Sequence, residues 1–356
     1  MLTNRGELFT TFGRWPVGAA IGLASGIAFG ACTAVGAFMP ICGLQSPEDL
    51  ELLPDGRRVL ISEMAGDQGK AGRFAVLDVG KRRVTDVIVE KATQNDWGDP
   101  DCAQRPASEI SPHGFFLSRP QQGRLTLLAI NHGDTESVHA YDLSTRDGVV
   151  HLAWRGCIDT SYNFNDLAAT VDGFIGAHQY DKPMGEGPDA EKRLFGGANT
   201  GFAVRWSQSG GFKKIPGTDA AFPNGITVSA DSKTAWMAST SGRQVRKIDL
   251  VNNVQVASAP LPLAPDNLSW TADGQLLVTG ADDVHRLAHC ASQVPPCKVP
   301  FAVARIDPNT LHSEVIFHHD GSMLMGASVA IITRGRMYIG SFAGDHILET
   351  TAPRVR

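Results

Sequence analysis

Two adjacent carboxylates, Glu48 and Asp49, open the stretch SPEDLELLPDG directly after a long uncharged run. Side chains alternate across a strand, so the two must point to opposite faces, and apolar neighbours follow them at once. Like charges so placed usually need a cation. The same frame returns in NDLAATVDGFIGAH from Asn165, NGITVSADSKTAWMAS from Asn224 and DNLSWTADGQLLVTG from Asp266. Each copy runs from an acid or amide through a β-type segment to an Asp seven residues on, at Asp55, Asp172, Asp231 and Asp273, followed by Gly or Ser. Carboxylate and amide oxygens without thiolates suit a hard ion, and Ca²⁺ takes six to eight oxygens in flexible geometry. Glu48 and Asp266 supply two negative charges for one Ca²⁺, while Asn165, Asn224 and Asn267 add neutral oxygens. Asp49 and Asp166, the second members of their pairs, point away from that cluster and suit a second ion with help from a backbone carbonyl. Taken singly, Asp and Asn at strand starts make local turn bonds. Their recurrence in one frame is what argues for two calcium sites.

A hydrolytic mechanism follows from these groups and two histidines. A carbonyl oxygen placed on a calcium ion is polarised and stabilised as an oxyanion. Water then needs a base. His113 stands beside Gly114 at the start of a β-type segment, HGFFLSRPQQGRLTLLAIN, and imidazole is the side chain best suited to take a proton near neutral pH. His132 follows the partner segment and is placed to orient His113 or relay protons to it. Asp266 acting as nucleophile or base is the rival assignment.

The elements that must position these residues are read from the repeat. A further copy, ASVAIITRGRMYIGS from Ala327, keeps the length to its Arg334-Gly335 turn but has lost the polar head. The six starts at 48, 113, 165, 224, 266 and 327 lie 65, 52, 59, 42 and 61 residues apart. Units of that size hold a hairpin and two more strands, which predicts an all-β, six-bladed β-propeller with four-stranded blades and central calcium sites. The innermost strands then start at one end of a central channel, where the polar heads converge. Composition agrees: 356 residues, 42% hydrophobic, with 38 Gly and 20 Pro in turn-like clusters such as Pro54-Asp55-Gly56 and Asp273-Gly274. A net charge of −5 without a Lys/Arg-rich run argues against nucleic-acid binding.

The N-terminus is different in kind. No residue from Trp15 through Pro47 is charged, and VGAAIGLASGIAFGACTAVGAF is long enough to cross a bilayer as a helix. Arg5 and Arg14 precede it, which favours a cytoplasmic N-terminus and an exported domain. The expected division is a cytoplasmic n-region over 1–14, a signal anchor or cleaved signal peptide over 15–40, and the propeller over 41–356. Lipid modification of Cys32 is a third reading. All three place the domain outside the cytosol, secreted or held at the membrane. Six cysteines fit an oxidising compartment. Cys290 with Cys297 and Cys102 with Cys157 are the candidate pairs, against the plain alternative of small buried side chains. No C-x-x-C suggests zinc.

The chain resembles the serum paraoxonase/arylesterase family, within the calcium-dependent six-bladed propellers that include gluconolactonase and regucalcin. The resemblance runs from Cys42 to about Leu348 and rests on SPEDLELLPDG, SPHGFFL, AINHGDTESVHAYD, NFNDLAA, FPNGITVSADSKTAW, PDNLSW and GASVAIITRGRMYIGS, in the family's order. It implies that Glu48, Asn165, Asn224, Asp266 and Asn267 hold a catalytic calcium, that Asp49, Asp166 and the backbone of Phe115 hold a structural one, and that His113 and His132 form a pair above the catalytic ion. It further implies hydrolysis of lactones and aryl esters. Two features differ. The family joins a Cys in the position of Cys42 to one near the C-terminus, where this chain has none, and its amphipathic membrane-contact helices look shortened or absent here. The alternatives are a non-catalytic, calcium-stabilised propeller that binds a ligand or partner, and a sugar lactonase of the gluconolactonase type. Among other residues, His178 is expected at the channel entrance or on an exposed loop. The polar segment from Lys182 to Asn199 is expected as a mobile lid or a surface loop. Trp154, Trp206, Trp236 and Trp270 are expected between blades.

Overall fold

The computed structural model describes residues 32–64, 71–91, 97–104, 110–118, 125–133, 135–291 and 298–353. Six antiparallel sheets follow one another along the chain. Their innermost strands are Pro47–Leu52, Pro112–Ser118, Phe164–Thr170, Pro223–Val228, Ala264–Trp270 and Ala327–Thr333, which we number as blades 1 to 6. Each inner strand touches the inner strands of the blades on either side, and blade 6 touches blade 1, so the sheets close into a ring. The fold is a six-bladed β-propeller.

The ring forms because the strands grade from apolar to polar outward. Every residue of Pro223–Val228 and of Leu276–Ala281 is buried, whereas the outermost strand of blade 4, Val254–Pro260, alternates exposed and half-buried positions. Strands buried on both faces need neighbours on both sides, and a ring supplies them without leaving a broad edge. One apolar cluster fills each interface between blades. Phe74 and Leu60 of blade 1 pack with Phe115, Tyr141 and Trp154 of blade 2, and Trp236 of blade 4 packs edge-on against Trp270 of blade 5 at 5.3 Å between ring centres. Each such fully buried large side chain stabilises the fold by about 1.5–3 kcal/mol. Trp154 and Trp206 also lie in clusters that join two blades, as expected.

Two details depart from six equal four-stranded blades over 41–356. Blade 2 has a fifth strand, Ile88–Lys91, which adds parallel to its outer strand Val149–Asp159. The ring closes through Met39–Cys42, which pairs antiparallel with His346–Thr351 and completes blade 6. Three strands of blade 6 thus come from the C-terminal end and one from the N-terminal end, a fastening that non-local hydrogen bonds make cooperative. The apolar run expected as a helix, 17–38, is not helical over its described residues, where Val35 and Phe38 form an isolated bridge. Residues 1–31 lie outside the described residues, so the n-region and the body of the anchor do too. Among the described residues no helix is long and apolar enough to cross a membrane.

Cys32 and Cys42 form a disulfide at the end of the closing strand, with Cα atoms 6.1 Å apart. Cys42 therefore finds a local partner in place of a C-terminal one, and Cys32 has no thiol left for a lipid. Cys102 and Cys157 are joined as expected, which ties the loop after blade 1 to the outer strand of blade 2. Cys290 is also disulfide-bonded, and Cys297 lies outside the described residues. Disulfides of this kind fit an extracytoplasmic location.

Candidate metal centre and histidine pair

The six repeat starts become the heads of the six inner strands, and a common distortion aims them at the channel. Each inner strand pairs with the next strand in regular register except at its head. There the pairing skips across Glu48, His113-Gly114, Asn165-Asp166, Asn224-Gly225, Asp266-Asn267 and Ser328-Val329. Such a β-bulge frees backbone from the ladder and turns side chains out of the sheet plane. Two of these heads carry glycine for lack of room. A Cβ on Gly114 would lie 2.6 Å from the Asn165 carbonyl oxygen, and one on Gly225 would lie 2.5 Å from the Asn267 Cα. Glycine at the heads of blades 2 and 4 lets the amide and acid pairs of blades 3 and 5 come close.

Glu48, Asn165, Asn224, Asp266 and Asn267 are all buried, Glu48 with only 1% of its surface exposed. Asn267 Nδ2 donates to Glu48 Oε1 at 2.6 Å across the channel. Asn224 Nδ2 donates to Thr240 Oγ1 at 3.1 Å, and that hydroxyl donates to the Pro265 carbonyl at 2.7 Å. Asn224 also hydrogen-bonds Asp266. Their nitrogens are thereby occupied while oxygens are left over. Glu48 Oε2, Asn165 Oδ1, Asn224 Oδ1 and Asn267 Oδ1 are buried without any hydrogen-bond partner. An acceptor stranded in this way costs about 1–3 kcal/mol, more for a charged group. Four stranded oxygens from four blades in one cluster fit a hard cation, whose ligands are oxygens of these types. Burial, and after it the charge of Glu48, holds the Asp266 carboxyl well above the ordinary carboxylate range.

Asp49 and Asp166 make a different set of contacts, to backbone N–H groups. Asp49 Oδ2 accepts from the Phe115 N–H at 3.0 Å and Asp49 Oδ1 from the Leu50 N–H at 2.8 Å. Asp166 accepts from the Leu167 and Ile226 N–H groups, both at 2.7 Å. Burial and the charge of Glu48 push the Asp49 carboxyl up to about 8, and burial with the charge of Asp49 raises Asp166 well above its usual value. These two acids thus sense one another at one site. The backbone of Phe115 is beside Asp49 as expected, although the contact made here is through its N–H.

His113 and His132 meet directly. His113 Nδ1 lies 2.8 Å from His132 Nε2, and His113 Nε2 faces Asn165 Nδ2 at 3.5 Å and Glu48 Oε1 at 3.6 Å. His132 Nδ1 lies 2.6 Å from Glu136 Oε2, and Lys182 Nζ is 3.6 Å from Glu136 Oε1. The pair thus borders the oxygen cluster, and both rings are partly exposed.

The structure also brings in residues that sequence reasoning missed. Glu136 becomes visible as a partner only through its contact with His132. Thr240 and Ser328 carry no motif; Ser328 Oγ, at the head that lost its acid, donates to the Glu48 carbonyl at 2.5 Å and so holds the backbone of a candidate ligand. Two expectations are corrected. His178 is buried, because its ring packs under Tyr162 and Phe202 while Nδ1 accepts from the Asn163 N–H at 3.1 Å. The Lys182–Asn199 segment is neither loose nor wholly surface: it folds into a 3₁₀ turn at Lys182–Gly185 and a helix at Ala190–Phe195. Leu194 and Phe195 anchor that helix on Tyr180, Phe222, Ala264 and Val284.

Comparison with known proteins gives consistent results. The arylesterase family model matches residues 206–347, the stretch that carries Asn224, Asp266 and Asn267. Human serum paraoxonase/arylesterase 1 is 24% identical over 319 residues, covering 85% of this chain and 86% of that protein. Human serum paraoxonase/lactonase 3 is 26% identical over 122 residues, covering 33% of this chain and 34% of that protein. Among solved structures, a gluconolactonase from Xanthomonas campestris aligns over 89% of both chains with a TM-score of 0.52 at 15% identity. A luciferin-regenerating enzyme aligns over 87% of this chain and 92% of that one with a TM-score of 0.51 at 12% identity. The resemblance read from the motifs is borne out: the chain is similar to the serum paraoxonase/arylesterase group and shares the fold of gluconolactonase-type propellers.

Proposed function

We propose that the protein is a calcium-dependent hydrolase of lactones and aryl esters that works outside the cytosol. The observation that carries this reading is the cluster of four stranded, buried oxygens beside a histidine pair. Glu48, Asn165, Asn224, Asp266 and Asn267 would hold one calcium ion, and Asp49 and Asp166 with the backbone at Phe115 a second. The chemistry such an ion supplies is polarisation of a carbonyl and stabilisation of an oxyanion. His113 faces that position with Nε2 and takes the proton of the attacking water. His132 shares the hydrogen on His113 Nδ1 and spreads the resulting charge. Asp266, tied to Asn224 inside the oxygen cluster, serves the ion rather than the water. Asp49 and Asp166 lie on the far side of the doublets from His113 and serve stability. A gluconolactonase-type activity would use the same fold and ion; the histidine pair favours the ester and lactone reading. The similarity to serum paraoxonase/arylesterase 1 supports it over most of the chain.

The test is a panel of aliphatic lactones, phenyl acetate and glucono-lactone, assayed with calcium, after chelation and after calcium is restored. Turnover of lactones and phenyl esters that is lost on chelation and regained is expected. Turnover of the sugar lactone alone would move the protein to the gluconolactonase type, and no turnover with calcium bound would make it a binding propeller.

A further inference from the structure

The contacts around Glu136 decide where the hydrogens of both histidines sit. Glu136 is largely buried, and its carboxylate touches His132 Nδ1 at 2.6 Å. Burial works to raise this carboxyl, yet the hydrogen bond with His132 and the charge of Lys182 help outweigh it and hold the group below its ordinary value. An ionised carboxylate only accepts, so His132 Nδ1 must carry the hydrogen. A neutral imidazole has one, which leaves His132 Nε2 as an acceptor for His113 Nδ1–H at 2.8 Å. His113 Nε2 then holds a lone pair. The other end of the chain agrees, because Asn165 Nδ2, 3.5 Å from His113 Nε2, can only donate, while the acceptor Glu48 Oε1 stands beyond hydrogen-bonding distance at 3.6 Å.

From these two ends we infer that Glu136 is a positioning residue for hydrolysis: it forces both imidazoles into the Nδ1–H tautomer and so presents His113 Nε2 as a base to the oxygen cluster. The loop that carries it is built for the purpose. Asn131 Oδ1 accepts from the Ser111 N–H at 2.7 Å and the Gly133 N–H at 3.2 Å, while Asn131 Nδ2 donates to Ser137 Oγ at 3.2 Å. The His132 N–H donates to the Ser111 carbonyl at 3.0 Å. One asparagine and one backbone bond therefore fasten His132 and the residues flanking it to the strand head that bears His113. The proton path balances. A water O–H bond breaks as its oxygen adds to the carbonyl, His113 Nε2 takes the proton, and His113 Nδ1 passes its own to His132 Nε2. His132 is then an imidazolium against Glu136. The path reverses when the leaving alkoxide or phenolate takes the proton back, so no proton is gained or lost by the chain.

The role in turnover rests on the hydrolase reading, but the tautomers do not, and the experiment separates the two. Ring ¹⁵N–¹H correlation spectra of the full chain labelled at histidine, recorded near about pH 9 where histidines are ordinarily neutral, should show His113 and His132 protonated at Nδ1. Glu136→Gln, whose amide can donate as well as accept, should return a population with hydrogen on Nε2 and lower kcat about 10- to 100-fold with KM nearly unchanged, the scale on which losing the outer partner of a metal-bound imidazole acts. Glu136→Asp should recover part of kcat and the Nδ1–H signal. A wild-type spectrum with either ring protonated at Nε2 overturns the inference whether or not the variants fold, and so does a folded Glu136→Gln protein with unchanged kcat. Nδ1–H tautomers in a protein that hydrolyses nothing would uphold the assignment of the hydrogens and overturn the hydrolase reading instead.

Discussion

The two ends of the inner hairpins carry the same kinds of residue and treat them in opposite ways. At the heads, Asp49, Asp166 and Asp266 are buried carboxyls held above their usual range, beside oxygens without partners. Seven residues after each repeat start, Asp55, Asp172, Asp231 and Asp273 are carboxyls held below their usual range. Each of these turn acids is satisfied locally. Asp55 Oδ1 accepts from the Arg57 and Arg58 N–H groups at 2.8 and 2.9 Å, Asp172 accepts from Arg205 at 2.9 Å, Asp231 from Ser229 Oγ at 2.6 Å and Asp273 from Thr271 Oγ1 at 2.5 Å. Both sets recur with equal regularity in the sequence. Recurrence therefore marks a place in the fold, and only the supply of donors tells a turn acid from a ligand. The turn acids are complete without an ion; at the heads Glu48 Oε2 and the amide oxygens of Asn165, Asn224 and Asn267 are not.

That contrast is broken most severely at Asp266. Removing it with Asp266→Ala takes one of two charges from the catalytic cluster, and hydrolysis should fall about 10³-fold or more, the scale of losing an oxyanion stabiliser, with calcium affinity falling too. Isothermal calorimetry alongside initial rates checks both. Unchanged calcium binding would remove Asp266 from the ligand set. His113→Gln sharpens the comparison by leaving the oxygens in place. Turnover should drop about 10²-fold or more while calcium binding stays near the wild-type value, and full activity across the neutral range would pass the role of base to Asp266.

Asp49→Ala should act on stability more than on rate. A ligand that binds only the folded state adds about 2.7 kcal/mol at 100 times its Kd, and loss of the second ion should remove a contribution of that order. The melting temperature with and without calcium reads it, and equal melting with calcium for wild type and variant would argue against an ion at Asp49. The same acids set the pH response of the chelated protein. Asp49, raised to about 8 in the fold, binds its proton more tightly than the unfolded chain does. That stabilisation is complete below about pH 4 and is lost as pH rises through 8; Asp166 and Asp266 act in the same direction. Chelated protein should thus melt higher in mild acid than above pH 8, and calcium should flatten or reverse the trend. A pH trend unaltered by calcium would detach these carboxyls from the ion.

The smallest effect is expected at the turn acids. Asp273→Asn removes an exposed contact with Arg305 and weakens one turn. Pairs of this kind contribute little, so turnover should stay within about twofold and calcium affinity should not move. A loss comparable with that of Asp266→Ala would erase the distinction between the two ends.

Residue types and spacing alone determined the number of blades, the inner strand of each, and the placing of Glu48, Asn165, Asn224 and Asp266-Asn267 at strand heads. These follow from local rules: alternation along a strand, turn chemistry at Asp-Gly, and a repeat that places equal positions at equal depths. The pairing of Cys102 with Cys157 was one of several the sequence allowed, and proximity in the fold selects it. The tertiary structure alone decided the rest. Strand Met39–Cys42 joins blade 6 because the partner edge lies some 300 residues away, a distance on which no local pattern reports. The bulges that aim the heads, Ser328 beneath Glu48, Thr240 beside Asn224 and Glu136 behind His132 all depend on contacts between strands or across turns. Burial is the physical reason for the division: a side chain's type is written in the chain, but whether its oxygen meets a donor, a cation or nothing is settled only when the six blades close.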